Sequence, residues 1–267
     1  MINDVKKVIK MYRNKIFIYQ MGKVGSTSLE ESIENSVHMH TLYSNSECWV
    51  REAQLWGLLS PLQKIKRYVG SKLDRMIIRS NNEVKIITLV RDPVARDVSM
   101  FFQRLPYWYT HYLNANNYGK ISRADGDEII HESFNKSFDH DYSVTWFDKE
   151  IKRFTGIDVM EMEFNKDKGF GIAKRGKFSL LVLTLEKMEE NHASGVIEEF
   201  VGQKFSLVKG RNEGGNKWYS DVYKRFRKNY KFEANYVNQK YSGGWVQKFY
   251  PEEDLNEFRK KWLTQSL

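Results

Sequence analysis

The chain has 267 residues, with 43 Lys+Arg against 34 Asp+Glu for a formal net charge of +9. Hydrophobic residues make up 41% and there are only 4 Pro, which excludes a disordered, collagen-like or low-complexity chain. The single Cys48 excludes a disulfide framework and a Cys-based zinc cluster.

No apolar run approaches the roughly 20 residues that span a bilayer, and the opening MINDVKKVIKMYRNK lacks a secretory core. The expectation is a soluble, cytoplasmic protein of a reducing compartment, with anionic partners favoured by its basic charge.

The first predicted element is a buried strand, IFIYQM at 16–21, cut off by Gly22. Behind it, GKVGSTSLEESIEN opens a helix, with Thr27 and Glu30 or Ser28 and Glu31 each fitting a capping box. SVHMHTLY then reads as a strand whose alternation puts His38 and His40 on one face.

VKIITLV at 84–90 is apolar nearly throughout, as a strand covered on both faces should be. It runs into Asp92 as a cap and Pro93 at the first helical position. In the helix that follows, Val94, Val98, Phe101, Phe102 and Leu105 form a core stripe, while Arg96, Ser99 and Gln103 fall on a polar face.

Residues 106–145 carry many aromatics, Asn and His without a clean period and read as a long functional loop or irregular insertion. Beyond it, 146–158 is amphipathic through Phe147, Ile151 and Phe154, and 178–186 is a third buried strand. One or two helices end at Gly202, and further helices lie around 217–231 and 252–263, the last apolar at Leu255, Phe258 and Trp262. Strand, loop and helix alternate, so the fold class is α/β with a mostly parallel central sheet flanked by helices, in one domain spanning 1–267.

Gly22-Lys23-Val24-Gly25-Ser26-Thr27-Ser28 between strand and helix is a phosphate-binding arrangement. Glycines let backbone N–H groups converge on an anion, Lys23 adds a full charge, and the hydroxyls donate. The Walker A order needs Lys after the second Gly; here Lys23 precedes Gly25, which disfavours an ordinary ATP or GTP loop.

QMGKVGSTSL resembles the 5′-phosphosulfate loop of sulfotransferases, the enzymes that use 3′-phosphoadenosine 5′-phosphosulfate (PAPS). VRDPVARDVSMFF resembles their 3′-phosphate motif, and the order of the two motifs, with LLVLTLE and EEFVG after them, is similar too. GNKWYSDVYKRF resembles the signature of a bacterial branch of capsular polysaccharide synthesis proteins, and KFYPEEDLNEFRKKW the tail of polysaccharide-directed sulfotransferases.

The resemblance implies a P-loop-like sulfotransferase fold and an enzyme moving a sulfuryl group from PAPS to a hydroxyl of a glycan or glycan precursor. Lys23, Val24, Gly25, Ser26, Thr27 and Ser28 would take the 5′ end, and Arg91 and Ser99 the 3′-phosphate. Arg96 could equally tie the loop together, and Arg91 could equally pair with Asp92 or Asp97. Lys209 and Arg211, in KGRNEGGNK, are possible further ligands, whereas Lys224 to Lys231 read as a solvated helix face.

The chemistry demands no metal, and no cluster with ligand spacing is present in the sequence. It does demand a base. His40 and His38 are favoured because polysaccharide sulfotransferases often place theirs between the two nucleotide motifs; Glu47 and Glu52 are acidic alternatives. Trp108, Tyr109, Trp218 and Tyr219 are candidate platforms for a sugar. The rivals are an ATP-dependent kinase, which wants a Mg²⁺-binding carboxylate at a strand end, and a non-catalytic glycan-assembly or nucleic-acid-binding protein. Nucleic acid leaves the two phosphate motifs unexplained.

Overall fold

In a computed structural model, residues 10–25, 27–43, 60–115, 126–208 and 217–264 are described. Contacts divide the chain into two units interleaved in sequence, one of residues 1–91 and 143–211, the other of 92–142 and 212–267.

The first unit holds the sheet. Its strands are β1 (Ile16–Tyr19), β2 (Ser36–Met39), β3 (Val84–Val90), β4 (Phe170–Arg175) and β5 (Phe178–Thr184), in the order β2-β1-β3-β5-β4. β2, β1, β3 and β5 run parallel, and β4 closes one edge as the antiparallel arm of a hairpin with β5. Phe17 stands between Val37 and Ile86, and Ile87 opposite Leu181, so the apolar runs align in register.

β3 and β5 are buried almost end to end, which is why they lack alternation. The helices of this unit include α1 (Thr27–Ser32) between β1 and β2, and α2 (Pro61–Arg79) between β2 and β3. A segment from Tyr142–Trp146 continues through a π-helical turn, Phe147–Lys152. It buries the predicted Phe147, Ile151 and Phe154. Two short helices follow, Met188–Ala193 and Val196–Val201, the second ending at Gly202 in the left-handed region, as expected of a helix stop.

The second unit carries helices and no strand among its described residues. α3 (Pro93–Gln103) starts as predicted: Asp92 caps it, accepting from the amides of Val94 at 3.0 Å and Ala95 at 3.2 Å. Its apolar stripe, Val94, Val98, Phe101, Phe102, is buried. The same Asp92 accepts from Tyr241 Oη at 2.5 Å and Trp262 Nε1 at 2.9 Å, binding α3 to the carboxyl-terminal helices.

Where an irregular insertion was expected at 106–145, two helices stand, Leu105–Ala115 and Gly126–Lys136. The aromatics that blurred the period are the reason. Trp108, Phe134 and Phe138 are core, with Phe134 stacked on Phe138 at 5.6 Å and Phe101 edge-on to Phe134 at 5.2 Å.

Arg96, expected on a polar face, is buried beside Asp97 at 3.1 Å and over the Tyr142 ring at 4.8 Å. Asp97 also meets Lys240 at 2.8 Å, Tyr236 at 3.4 Å and His140 at 3.6 Å. Burial alone would raise the Asp97 carboxyl. Lys240 first, then the neighbouring His140 and Arg96, outweigh it and hold the group well below the usual carboxylate range.

Candidate functional site

The chain leaves β1 toward β2 on one side and leaves β3 on the other, so the strand order reverses between β1 and β3. Ligands of open α/β sheets bind outside the carboxyl ends of strands at such a switch point. The two predicted phosphate motifs begin there.

Lys23 and Gly25 both have left-handed backbones, φ 73° and 84°. Val24 between them does not, an alternation of the kind by which successive amides can converge on an anion. Gly25 is favoured by its positive φ, and a Cβ there would lie 2.4 Å from Leu185 Cδ1, which would have to rotate away. Its backbone is exposed, while the Val24 side chain is fully buried and anchors the turn. Arg91, at the end of β3, donates from Nη1 to the Lys23 carbonyl at 3.1 Å, so two motifs 68 residues apart in sequence meet.

Thr27 opens α1, half-buried, and Ser28 is buried behind it; Ser26 lies outside the described residues. The helix thus starts at Thr27 itself, one residue before the start that a Thr27 cap would give. Ser99 sits half-buried on α3 in the helical unit.

The two histidines lie where alternation put them, with ring centroids 4.5 Å apart, but their surroundings differ. His38 Nδ1 meets the Glu30 carboxylate at 2.9 Å, and its Nε2 faces Gln20 Nε2 at 3.4 Å. Burial lowers its pKa below the ordinary value, the charge of His40 lowers it further, and Glu30 opposes both. A neutral His38 then donates to Glu30 and accepts from Gln20, with both nitrogens engaged.

His40, just past β2, is exposed. Its Nδ1 lies 3.0 Å from the Gln20 carbonyl, an acceptor only, so Nδ1 carries the proton and Nε2 keeps its lone pair. Trp146 Nε1 donates to the His40 carbonyl at 3.0 Å and fixes the backbone beneath it.

Three residues of this neighbourhood were not legible as site residues. Gln20 is fully buried and carries the acceptor for His40 on its main chain. Glu30 read as a capping residue and pairs with His38 instead. Glu150, buried in the π-helical turn, accepts from Tyr19 Oη, from the Leu42 amide at 2.7 Å and from the Tyr43 amide at 3.1 Å. Burial first, then the Glu150 charge and hydrogen bond, push the Tyr19 phenol well above its usual range. A lone Glu among Phe147, Ile151 and Phe154 was the available signal.

Glu47, Glu52, Lys209 and Arg211 lie outside the described residues. Of the sugar-platform candidates, Trp108 and Tyr219 are core residues, Tyr109 is half-buried, and Trp218 stands 71% exposed. Among the described residues no group of three His, Cys, Asp or Glu could hold a metal, and no helix is long and apolar enough to cross a membrane.

No curated protein and no solved structure matches the chain. Residues 119–251, just under half of the chain and including the Asn216–Ser220 stretch, match the family model NKWYS, described as "Putative capsular polysaccharide synthesis protein".

Proposed function

We propose that this protein is a sulfotransferase of capsular polysaccharide synthesis, moving a sulfuryl group from 3′-phosphoadenosine 5′-phosphosulfate to a glycan hydroxyl. One observation carries the reading: the left-handed Lys23–Gly25 turn after β1 is tied to Arg91 after β3 at the sheet's switch point. The family match over residues 119–251 supports the glycan side of the proposal.

In the reaction an acceptor oxygen bonds to sulfur as the bond from sulfur to the 5′-phosphate oxygen breaks. The products are a sulfate ester and adenosine 3′,5′-bisphosphate. Lys23 neutralises charge gathering on the departing phosphate oxygen, with its backbone locked before substrate arrives. Arg91 steadies that turn through the Lys23 carbonyl and carries further guanidinium donors suited to a phosphate. His40 Nε2 receives the hydroxyl proton, and the Gln20 carbonyl stabilises the imidazolium that results.

The test is calorimetric titration with adenosine 3′,5′-bisphosphate and, separately, with ADP or ATP plus Mg²⁺. One charge-assisted hydrogen bond lost with the 3′-phosphate corresponds to a preference of about tenfold to hundredfold for the bisphosphate. Arg91→Ala should reduce that preference, and Lys23→Ala should cut turnover by about 100-fold or more. Tighter binding of ATP with Mg²⁺ replaces the proposal with a kinase. Binding of neither nucleotide replaces it with a non-catalytic glycan-assembly protein.

A further inference from the structure

α2 is amphipathic in an inverted sense. Leu62, Ile65, Val69, Leu73 and Met76 fall within an arc of about 80° on a helix turning about 100° per residue. All five are 47–70% exposed. Ile78, on the opposite side, is the fully buried residue by which the helix packs onto its unit. The stripe therefore points outward, and scattered single apolar residues are the norm for a surface, not a file of five.

Charge identifies what would cover it. Pro61–Arg79 contains six Lys or Arg and one acidic residue, Asp74. Lys66 and Lys72 are exposed and border the stripe on its two sides. A second copy would bring the same cations against these. An anionic bilayer would receive the apolar file among its acyl chains and the two ammonium groups among its headgroups.

The helix is anchored for such a role. Ser60 and Gln63 form a reciprocal capping box, and Arg75, on the inward side, binds the Leu42 carbonyl and lies over the Tyr43 ring. It is not apolar enough to cross a membrane, so it would lie in the interface plane.

We infer that α2 is an interfacial membrane-docking helix that seats this protein on anionic lipid. The inference does not depend on the sulfuryl-transfer reading. The test is co-sedimentation with phosphatidylcholine–phosphatidylglycerol vesicles against pure phosphatidylcholine vesicles. Wild-type protein should prefer the anionic vesicles, and added salt should weaken the preference.

Ile65→Ala with Leu73→Ala keeps helix propensity and should weaken binding roughly thirtyfold or more. Lys66→Glu with Lys72→Glu should remove the anionic preference, a loss of roughly tenfold or more. Circular dichroism melts of both variants should match wild type, because the altered side chains are exposed. Equal binding to both vesicle types, no binding, or binding indifferent to both pairs overturns the inference. So does a dimer that the alanine pair dissociates, which assigns the stripe to a second copy. A melting temperature lowered by the alanine pair, without vesicle binding, assigns it to this chain's own packing.

Discussion

Gly25→Ala tests the turn on which the candidate site rests. At φ 84° an alanine adopts a left-handed backbone, at about 1–2 kcal/mol. Its Cβ would also stand 2.4 Å from Leu185 Cδ1, 3.0 Å from Cδ2 and 3.3 Å from Cγ. The Leu185 side chain must rotate away, which costs about 0.5–1.5 kcal/mol if it leaves its rotamer well. The sum is about 1.5–3.5 kcal/mol, a large share of a typical folding free energy.

Urea denaturation should show this as a lower midpoint at unchanged slope. Leu185→Ala in the same chain removes the collision but not the backbone cost. The double variant should therefore be more stable than the two single losses predict, by about the rotamer term. Wild-type stability for Gly25→Ala, or strict additivity with Leu185→Ala, would refute the strained turn. The reasoning about anion binding would fall with it.

Other perturbations separate chemistry from scaffold. His40→Ala should lower the rate of sulfate transfer by about 100-fold or more while calorimetry finds bisphosphate affinity unchanged; parallel losses would make His40 a structural residue. Glu150→Ala strands the Tyr19 hydroxyl and two backbone amides and should cost about 3–5 kcal/mol in urea melts, whereas Tyr19→Phe should cost about 1 kcal/mol. Lys240→Met leaves Asp97 buried beside Arg96 and His140 and should destabilise by about 3–5 kcal/mol. The folded Asp97 pKa lies below its unfolded value, so its stabilisation is complete above about pH 4 and is lost as pH falls through the folded pKa. Asp97→Asn should accordingly flatten the acid limb of stability against pH.

The parallel sheet was legible because burial on both faces leaves unbroken apolar runs, and 84–90 and 178–184 are strands for that reason. β4 was not legible because Phe170–Arg175 is a short, half-exposed edge with glycine inside it and Lys174-Arg175 at its end. The helices over 105–115 and 126–136 were hidden by aromatics on more than one face, each packing against a different neighbour, so no single stripe emerged. The left-handed Lys23 had no local signal, since a non-glycine there is held by long-range contact with Arg91. The same holds for Glu150, whose partners lie more than 100 residues away.

Those long-range contacts also narrow the choice of base for the proposed transfer. Glu150 spends its acceptors on Tyr19, Leu42 and Tyr43, which leaves it a clamp on the chain past β2. Glu30 is held by His38, and His38 in turn by Glu30 and Gln20, so taking up a proton there would compete with existing bonds in a site that already disfavours the charged ring. In the helical unit Asp92 caps a helix and receives Tyr241 and Trp262, and Asp97 neutralises buried cations. His40 combines exposure, a tautomer fixed by the main chain and an Nε2 lone pair. In the proposed transfer these described carboxylates serve as structure, and the proton would go to the imidazole that the chain just past β1 holds in place.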